Sequence, residues 1–320
     1  MDDLLTPEFR ALSARLDQDP LRVQGPGGNT SIKSGAVMWI KASGTELADA
    51  ECENIFVAVD RDAAKAEAAD AEDGSCKSTV LDSTCEKRPS IETTFHAALD
   101  WPVVAHTHSI ATLVHAISPQ GRKVAGEKLT GLPAVFVPYA KPGLPLTRKI
   151  MERVTKQTQV IVLENHGLVC CGVTVDEVAG LMDEVETRLA MPARAIVENV
   201  PGTPAPEGFS WASESWIAND ERAASLAVAG SYYPDHVVFL GPALPKQDHE
   251  GGPAAILKVG SGVLLRDDVT SSQAAMLTCL SNILRRLPED WIATPIGEEA
   301  EAELLDWDAE KYRQALAARG

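Results

Sequence analysis

The sequence predicts an α/β protein of the α+β kind, in which helices cover a central, mainly antiparallel sheet. Strand and helix patterns interleave along the chain, but without the strict alternation of a doubly wound parallel sheet. The two strand candidates nearest the N-terminus are separated by small polar residues, as in an antiparallel meander. A segment rich in Pro and Gly at 201–208 then divides a large first part of the chain from a smaller second part.

The first part of the chain carries most of the predicted elements. Apolar residues at helical spacing predict a helix over 2–19, and the loop at 25–31 leads to a strand over 36–41. The segment 60–73 is rich in Ala, Asp and Glu, and together with the polar stretch 74–90 it is interpreted as a surface excursion. The remaining patterns predict, in order, a helix at 91–100, a strand at 103–108, a helix at 111–117, a strand at 134–138, a helix near 147–157, strands at 159–163 and 168–171, and a helix at 175–190.

The second part of the chain is predicted to be a small α/β subdomain. Its patterns predict a helix near 214–229, a strand at 236–240, a hairpin formed by 255–259 and 262–265, and a helix at 270–286. The predicted organisation is therefore a catalytic domain at 1–200, a linker at 201–208 and a small C-terminal α/β subdomain at 209–320.

Composition excludes several classes of partner. The chain has 320 residues with 46 acidic side chains against 29 Lys and Arg, a net charge of −17, so neither nucleic acid nor an anionic membrane is an expected partner. No apolar run reaches the roughly 20 residues of a membrane-spanning helix, and the N-terminus lacks the pattern of a secretory signal. The six cysteines include no CxxC pair. We expect a soluble, cytoplasmic protein with reduced thiols.

The histidines indicate a metal site. His106 and His108 alternate at the end of a strand, which places both rings on one face, and two such imidazoles make half of a zinc site. The alternative for this pair is a polar strand end. His166 follows a buried strand at a tight corner, which points to a site, although His also tolerates unusual turn conformations.

A carboxylate precedes the strand that carries the histidine pair. Glu92 opens a helix just after Pro89 and Ser90, where its ordinary role would be a capping or helix-dipole contact. If it reaches the metal, it becomes a general base. His96 lies four residues further on the same helical face, where it either supports the site or is a hydrogen-bonded histidine under the sheet.

Two glycine-containing loops offer groups that suit a phosphate. The loop at 27–31 lacks the lysine of a P-loop, and no GxGxxG lies between a strand and a helix. It still presents backbone N–H groups, an amide and two hydroxyls, and Ser43-Gly44-Thr45 presents a second such set next to Lys41. Each loop taken alone is also compatible with a plain turn.

Taken together and in this order, the motifs GGNTS, ASG, PSIETTFH, HTH, PYAKPG and ENHGL resemble the class II aldolase/adducin family over roughly residues 5–195. The resemblance implies a central, mainly antiparallel sheet covered by helices and assembly as a homotetramer with active sites at subunit boundaries. It also implies one divalent metal ion per subunit, most often Zn²⁺, acting on phosphorylated sugars.

The resemblance also assigns residues. It places the metal ligands at His106, His108 and His166, with Glu92 as the catalytic carboxylate that can also bind the metal. The phosphate-binding groups it implies are Gly28, Asn29, Ser43, Gly44 and Ser90. Ile91 stands where a second phosphate hydroxyl often follows. The tyrosine that protonates the aldehyde in fuculose-phosphate aldolases has no counterpart near 120–130, and Tyr139 belongs to a different motif, in a structural or site-lining role.

Within the family, the chain looks most like the aldolase half of bifunctional rhamnulose-phosphate aldolase/dehydrogenase proteins. Residues 39–44, WIKASG, resemble a segment of those proteins, and so do 234–238 and 305–312 beyond the linker.

The function implied is retro-aldol cleavage of a ketose phosphate through a metal-bound enediolate, with Glu92 as the acid/base. The family's epimerases have Asp at this position, so Glu92 favours an aldolase. A metal-dependent decarboxylase of a sugar-acid phosphate is the nearest alternative, and a non-catalytic adducin-like module is the third.

Overall fold

A computed structural model describes residues 4–70, 74–197, 201–248 and 252–318. Within these ranges seven strands form one sheet in the order β3-β2-β1-β4-β7-β6-β5, and each neighbouring pair is antiparallel except β5 with β6. The strands are β1 (Asn29–Ser34), β2 (Val37–Lys41), β3 (Phe56–Asp60), β4 (Val103–Thr107), β5 (Ala134–Val137), β6 (Val160–Leu163) and β7 (Gly167–Gly172). The predicted fold class, a mainly antiparallel sheet covered by helices, is confirmed.

Helices pack on both faces of this sheet. They are α1 (Pro7–Asp17), α2 (Arg61–Asp70), α3 (Thr93–Ala98), α4 (Ile110–Ala116), α5 (Pro119–Lys128), α6 (Leu144–Met151) and α7 (Val175–Leu189). Successive side chains of β6 enter different cores, since Val160 and Val162 pack with residues of α1 and α7, while Ile161 and Leu163 pack with residues of α3 and α6. A strand covered on both faces needs apolar residues at every position, which is why β6 appears in the sequence as an unbroken apolar run.

The residues after the linker form a second, three-stranded antiparallel sheet in the order β8-β10-β9, with helices beside it. Its elements are β8 (Phe209–Trp211), α8 (Glu221–Ala227), β9 (Ala255–Lys258), β10 (Gly262–Arg266), α9 (Ser271–Arg286), α10 (Glu298–Leu305) and α11 (Asp308–Ala317). Its core continues into the first part of the chain, because Leu113 and Ile117 of α4 pack in the same apolar cluster as Trp216 and Leu280. The domain boundaries stay a prediction.

The strand predicted at 236–240 is wrong. His236–Leu240 is a π-helical turn that ends at Gly241, whose φ is +98°. All five residues are buried, and the four that follow His236 are apolar, so the run lacks the alternation that distinguishes a strand from a buried helical turn. The helix predicted near 214–229 is also interrupted, because Asp220 is extended and caps α8 by accepting from the Ala223 N–H at 2.8 Å.

The stretch from 60 to 90 is more than the predicted surface excursion. Residues 61–70 form α2, whose Ala64 is fully buried, and the Arg61 side chain donates to the Ala97 carbonyl on α3 at 3.3 Å. Further along, Val80 pairs with Val59 of β3 through an isolated bridge. Residues 71–73 lie outside the described ranges. The small alanine side chains let α2 pack closely on the rest of the domain. The high content of acidic residues in this segment predicts an exposed surface instead.

In the ranges that the structure describes, no helix is both long enough and apolar enough to cross a membrane.

Candidate active site

Three buried histidines converge at one edge of the large sheet. His106 lies in β4, His108 follows the end of that strand, and His166 lies in the turn between β6 and β7. One ligand nitrogen from each ring lies within 4.8 Å of the others. The antiparallel pairing of β4 with β7, in which Thr107 faces Leu168, brings the His166 turn against the end of β4.

The turn that carries His166 depends on two unusual backbone positions. Asn165 has a left-handed conformation with φ of +52°, which Asn adopts more readily than most residues. A Cβ atom on Gly167 would lie 2.2 Å from the carbonyl oxygen of Thr107, so a side chain at 167 would push β7 away from β4. The Asn-His-Gly sequence therefore sets the distance between His166 and the other two imidazoles.

Glu92 completes this cluster. Its Oε2 lies 3.4 Å from His106 Nε2, and its Oε1 lies 3.4 Å from His166 Nε2. Although Glu92 stands at the N-cap position of α3, its side chain makes no capping hydrogen bond within the described part of the chain. The carboxylate faces the histidines, so the capping alternative does not account for it.

Alternate residues of β1 support the cluster from behind. Asn29 donates through Nδ2 to Glu92 Oε2 at 2.8 Å, and its Oδ1 bonds His96 Nε2. The other ring nitrogen of His96 bonds Ser31 Oγ at 2.7 Å. His96 is thus a hydrogen-bonded histidine under the sheet that also orients Asn29. His106 is oriented separately, because its Nδ1 lies 2.9 Å from the Leu168 carbonyl and donates to it, which leaves Nε2 for the cluster.

Burial determines the charge state of the imidazoles. It lowers the pKa of His166 to about 3 and lowers the pKa of His106, so both rings are neutral near pH 7. Burial acts in the opposite direction on Glu92, but interactions within the cluster, among them the hydrogen bond that Asn29 donates, outweigh it, and the pKa of Glu92 falls below its ordinary value. Neutral imidazoles and an ionised carboxylate are the protonation states that bind a metal.

Several polar atoms of this cluster lack partners. Glu92 Oε1, His106 Nε2, His108 Nδ1 and His166 Nδ1 are buried and make no regular hydrogen bond among the described residues. Buried polar atoms are seldom left unpaired without a reason, and a bound ion is one of the usual reasons. The donor set of three imidazoles and one carboxylate fits a divalent cation such as Zn²⁺. The residues could therefore hold a catalytic metal ion.

The two predicted phosphate loops face the same cavity as the histidines. The predicted groups that line it are Gly28, Asn29, Ser43, Gly44 and Ser90, together with Glu92, His108 and His166. Gly28 has a φ of +60°, and a Cβ there would lie 2.8 Å from the His106 carbonyl oxygen. The structure thus brings the predicted phosphate groups close to the histidine cluster.

Lys41 has a different role from the one its position next to Ser43 suggests. Its ammonium donates to the carbonyl oxygens of Pro26 and Thr45 at 2.8 Å and to that of Gly27 at 3.2 Å. These three acceptors use its three protons, so Lys41, which lines the cavity, ties the two loops together and has no proton left to donate to a ligand. Burial lowers the pKa of Lys41 to about 8.

Replacing Lys41 with Met is expected to loosen both loops. Three buried carbonyl groups would lose their donor, so we expect the free energy of unfolding to fall by about 1–3 kcal/mol and KM for a phosphorylated substrate to rise more than kcat falls. Urea unfolding and steady-state kinetics measure the two effects, with the exposed Lys149→Met as the control. Equal stability and unchanged KM would contradict this role for Lys41.

Lys33 continues the polar face of β1 and is buried, and its ammonium makes no ion pair with a carboxylate among the described contacts. It is 5% exposed, its ammonium donates to the His96 carbonyl, and Arg61, Lys65, Asp100 and Cys171 are the ionisable groups around it. Burial lowers its pKa to about 7, against 10.5 for an ordinary lysine. The unfolded chain therefore binds this proton more tightly than the folded chain, so the penalty on folding grows as the pH falls from 10.5 and is complete below about pH 7.

A Lys33→Met variant should accordingly be more stable than the parent at pH 6, by about 1–2 kcal/mol after the loss of one hydrogen bond. The advantage should shrink as the pH rises from 7 towards 10.5, where the parent no longer bears the penalty. Urea unfolding at pH 6, 8 and 10 measures the difference, with the exposed Lys65→Met as the control. A difference that is absent or independent of pH would refute the expectation.

Three charged residues of the site come from beyond the linker, and sequence reasoning assigned them no role. Asp235, Glu310 and Arg313 line the same cavity as the histidines. They lie in or beside the segments 234–238 and 305–312, so the resemblance of those segments was the available signal. Tyr139 is not among the lining residues of the described cavity, whereas Ile91 is.

Helix α11 covers the loops. Leu316 packs on Gly44 so closely that a Cβ on Gly44 would lie 2.3 Å from its Cδ1. The covered cavity has about 30 Å³ of free volume, which is room for two or three water molecules. A second cavity of about 540 Å³ adjoins it and shares Ser43 and Ile91. Its other lining residues include Arg88 stacked on Tyr312 and Lys141 stacked on Trp307.

Comparison with known proteins places these residues in a family context. The sequence-family model described as "Class II Aldolase and Adducin N-terminal domain" matches residues 9–192 of this chain. The chain is 34% identical over 167 residues to the Bacillus subtilis protein described as "Uncharacterized oxidoreductase YuxG", covering 46% of this chain and 24% of that protein. The chain thus matches about a quarter of the length of this curated relative.

A solved structure covers the same part of the chain. The N-terminal class II aldolase domain of a conserved protein from Thermoplasma acidophilum is 27% identical to it, with a TM-score of 0.52. The match covers 58% of this chain and 92% of that domain. The four cluster residues, the two loops and Ser90 all fall within the matched family region, whereas Asp235, Glu310 and Arg313 lie outside it.

Proposed function

Because the chain belongs to the class II aldolase and adducin family, we propose that it is a metal-dependent aldolase that cleaves a ketose phosphate. The observation that carries the proposal is the cavity lined by His108 and His166 of the buried histidine cluster, the Glu92 carboxylate and both phosphate loops. An interaction module would have no need to bury four such groups without mutual hydrogen bonds, because each lost partner lowers stability.

The proposed ion is Zn²⁺, one per subunit, held by His106, His108, His166 and, in the resting state, Glu92. When bound, a divalent cation supplies Lewis-acid stabilisation of the negative charge that develops on substrate oxygens as the carbon–carbon bond breaks. Glu92 then serves as the acid/base: its carboxylate takes up the proton that the substrate hydroxyl releases as it becomes a carbonyl group, and the carboxyl group delivers that proton to the carbon left by the broken bond. Asn29 fixes the orientation of that carboxylate throughout.

The substrate side of the proposal rests on the loops and the adjoining cavity. Backbone N–H groups and hydroxyls around Gly28, Ser43 and Ser90 suit a phosphate dianion without an arginine cluster. The 540 Å³ cavity beside them is within the usual size range for a small-molecule site and leaves room for the remainder of a sugar chain. Ile91 lines both cavities and presents an apolar surface between them.

Two further expectations follow from the family resemblance. We propose that four copies assemble into a homotetramer, which light scattering on the purified protein measures directly. We also propose a cytoplasmic location, with phosphorylated sugars as the partners and neither nucleic acid nor membrane among them. The net charge of −17 supports the expectation that neither nucleic acid nor an anionic membrane is a partner.

A product screen tests the proposed reaction. The metal-loaded protein is incubated with a panel of ketose 1-phosphates and sugar-acid phosphates, and dihydroxyacetone phosphate and carbon dioxide are assayed in parallel. Release of the triose phosphate supports the aldolase. Carbon dioxide without the triose would instead identify the decarboxylase, and a folded protein that takes up no zinc, manganese or cobalt would identify a non-catalytic module.

A further inference from the structure

The contact between His108 and Asp235 joins the two parts of the chain at the metal cluster. Asp235 Oδ2 lies 3.2 Å from His108 Nδ1, an ion-pair distance at which the angle departs from that of a regular hydrogen bond, and both side chains are nearly inaccessible to solvent. Asp235 immediately precedes the π-helical turn His236–Leu240, far outside the matched family region. The backbone of Gly27 covers the contact, since a Cβ there would lie 2.9 Å from His108 Nδ1 and 3.2 Å from Asp235 Oδ2.

A buried carboxylate needs compensation, and Asp235 receives it from α11. Arg313 donates through both terminal nitrogens to Asp235, at 2.9 Å to Oδ1 and 3.2 Å to Oδ2. Its Nη1 also bonds Glu310 Oε2 at 2.8 Å. Burial raises the pKa of Asp235, but Arg313 and His108 reverse this effect and hold it far below its ordinary value. Asp235 is therefore a fixed anion directed at one imidazole.

We infer that Asp235 is a positioning residue for the metal site: it holds His108 with the proton on Nδ1, so that Nε2 is directed to the cation, and Arg313 holds Asp235 in place. Asp235 itself is not a member of the ligand cluster found among the described residues, which consists of the three histidines. A carboxylate behind a ligating histidine fixes the tautomer and makes the ligand nitrogen more basic. The C-terminal subdomain thus supplies part of the metal site.

A second contact between the two parts of the chain supports this inference. Asn165, next to His166, donates through Nδ2 to the carbonyl oxygens of Tyr232 at 3.0 Å and Thr294 at 2.8 Å. The turn that presents His166 is therefore also held by residues beyond the linker. Two of the three histidines depend on the C-terminal subdomain for their orientation, while His106 depends on Leu168 of the large sheet.

The inference rests on the proposed metal-dependent function, and metal affinity tests it without any activity assay. The metal-free protein is titrated with Co²⁺ and Zn²⁺ in competition with a chromophoric chelator. We expect Asp235→Asn to lower the affinity about 10–100-fold and to change the visible spectrum of bound Co²⁺. Asp220→Asn, which alters a different ion pair of the same subdomain, should leave both unchanged.

A double-mutant cycle separates positioning from general destabilisation. If Arg313 acts through Asp235, Arg313→Gln should lower the affinity by itself but add little to the effect of Asp235→Asn. Wild-type affinity in folded Asp235→Asn, or fully additive effects in the double variant, would overturn the inference. A wild-type chain that takes up neither ion would overturn the proposed function as well, so the two failures are distinguishable.

A measurement on the unaltered protein covers the case in which the variants do not fold. Nitrogen-15 NMR of histidine-labelled, zinc-loaded protein reports which ring nitrogen of each histidine carries a proton, and the His108 signals are assigned by their loss in His108→Gln. We expect the proton of His108 on Nδ1. A proton on Nε2 would overturn the inference.

Discussion

Replacing Glu92 with Gln is expected to lower kcat by about 10²–10⁴-fold, the range typical for removing a general acid/base. The amide oxygen can still accept the Asn29 hydrogen bond, so the side chain should keep its position while losing the ability to exchange a proton. The three histidines are unaltered, and metal should still bind. Steady-state kinetics and metal analysis on the same preparation measure both quantities.

Glu164→Gln is the matched control for this variant. Glu164 lies two residues before His166 and pairs with Arg122 at 3.2 Å, but it does not line the described cavity. Its substitution should leave kcat within a few-fold of the parent. Full activity in Glu92→Gln would show that another group carries the proton.

Replacing His166 with Ala should have the largest effect on metal binding. Removing a residue that only hydrogen-bonds to a metal ligand typically lowers metal affinity about 10–100-fold. Removing a ligand itself should therefore lower the affinity by more than this range. We expect less than stoichiometric metal after dialysis against a limiting concentration of Zn²⁺, and activity should fall in parallel. Metal analysis and kinetics test these two expectations.

His115→Ala is the control for the deletion of a buried imidazole. His115 is as buried as His166 but lies on α4, where its Nδ1 bonds the Ala111 carbonyl at 2.8 Å. Both variants leave a cavity of similar size and should melt at lower temperature, but only His166→Ala should lose metal. Full metal occupancy in His166→Ala would remove His166 from the ligand set.

Sequence reasoning reached the histidines because the signals around them are local. The period of two in a strand places His106 and His108 together, and the Asn-His-Gly corner identifies His166 as a turn residue. The residue types and their order then point to a family, and the structure brings Glu92 and the loop residues into the same cavity. Within this region, spacing along the chain and proximity in space agree.

The remaining features depend on contacts that no local pattern encodes. Asp235 meets His108 across more than one hundred residues of chain, and Arg313 joins them from further away still. The direction of the Lys41 ammonium depends on where two loops place their carbonyl groups. The turn at 236–240 is apolar at every position after His236, so its hydrophobic period does not distinguish a strand from a helical turn. Each of these features is decided by tertiary packing.

The pairing of β1 with β4 has a consequence for how the site is assembled. Asn29 faces His106 directly across these two strands. Because side chains alternate along a strand, a slip of one residue would direct Asn29 to the opposite face and present Thr30 to α3 in its place. The hydrogen bond that orients Glu92 towards the histidines therefore forms only in the native register, and the time course of metal uptake during refolding should report the completion of this long-range pairing rather than early collapse.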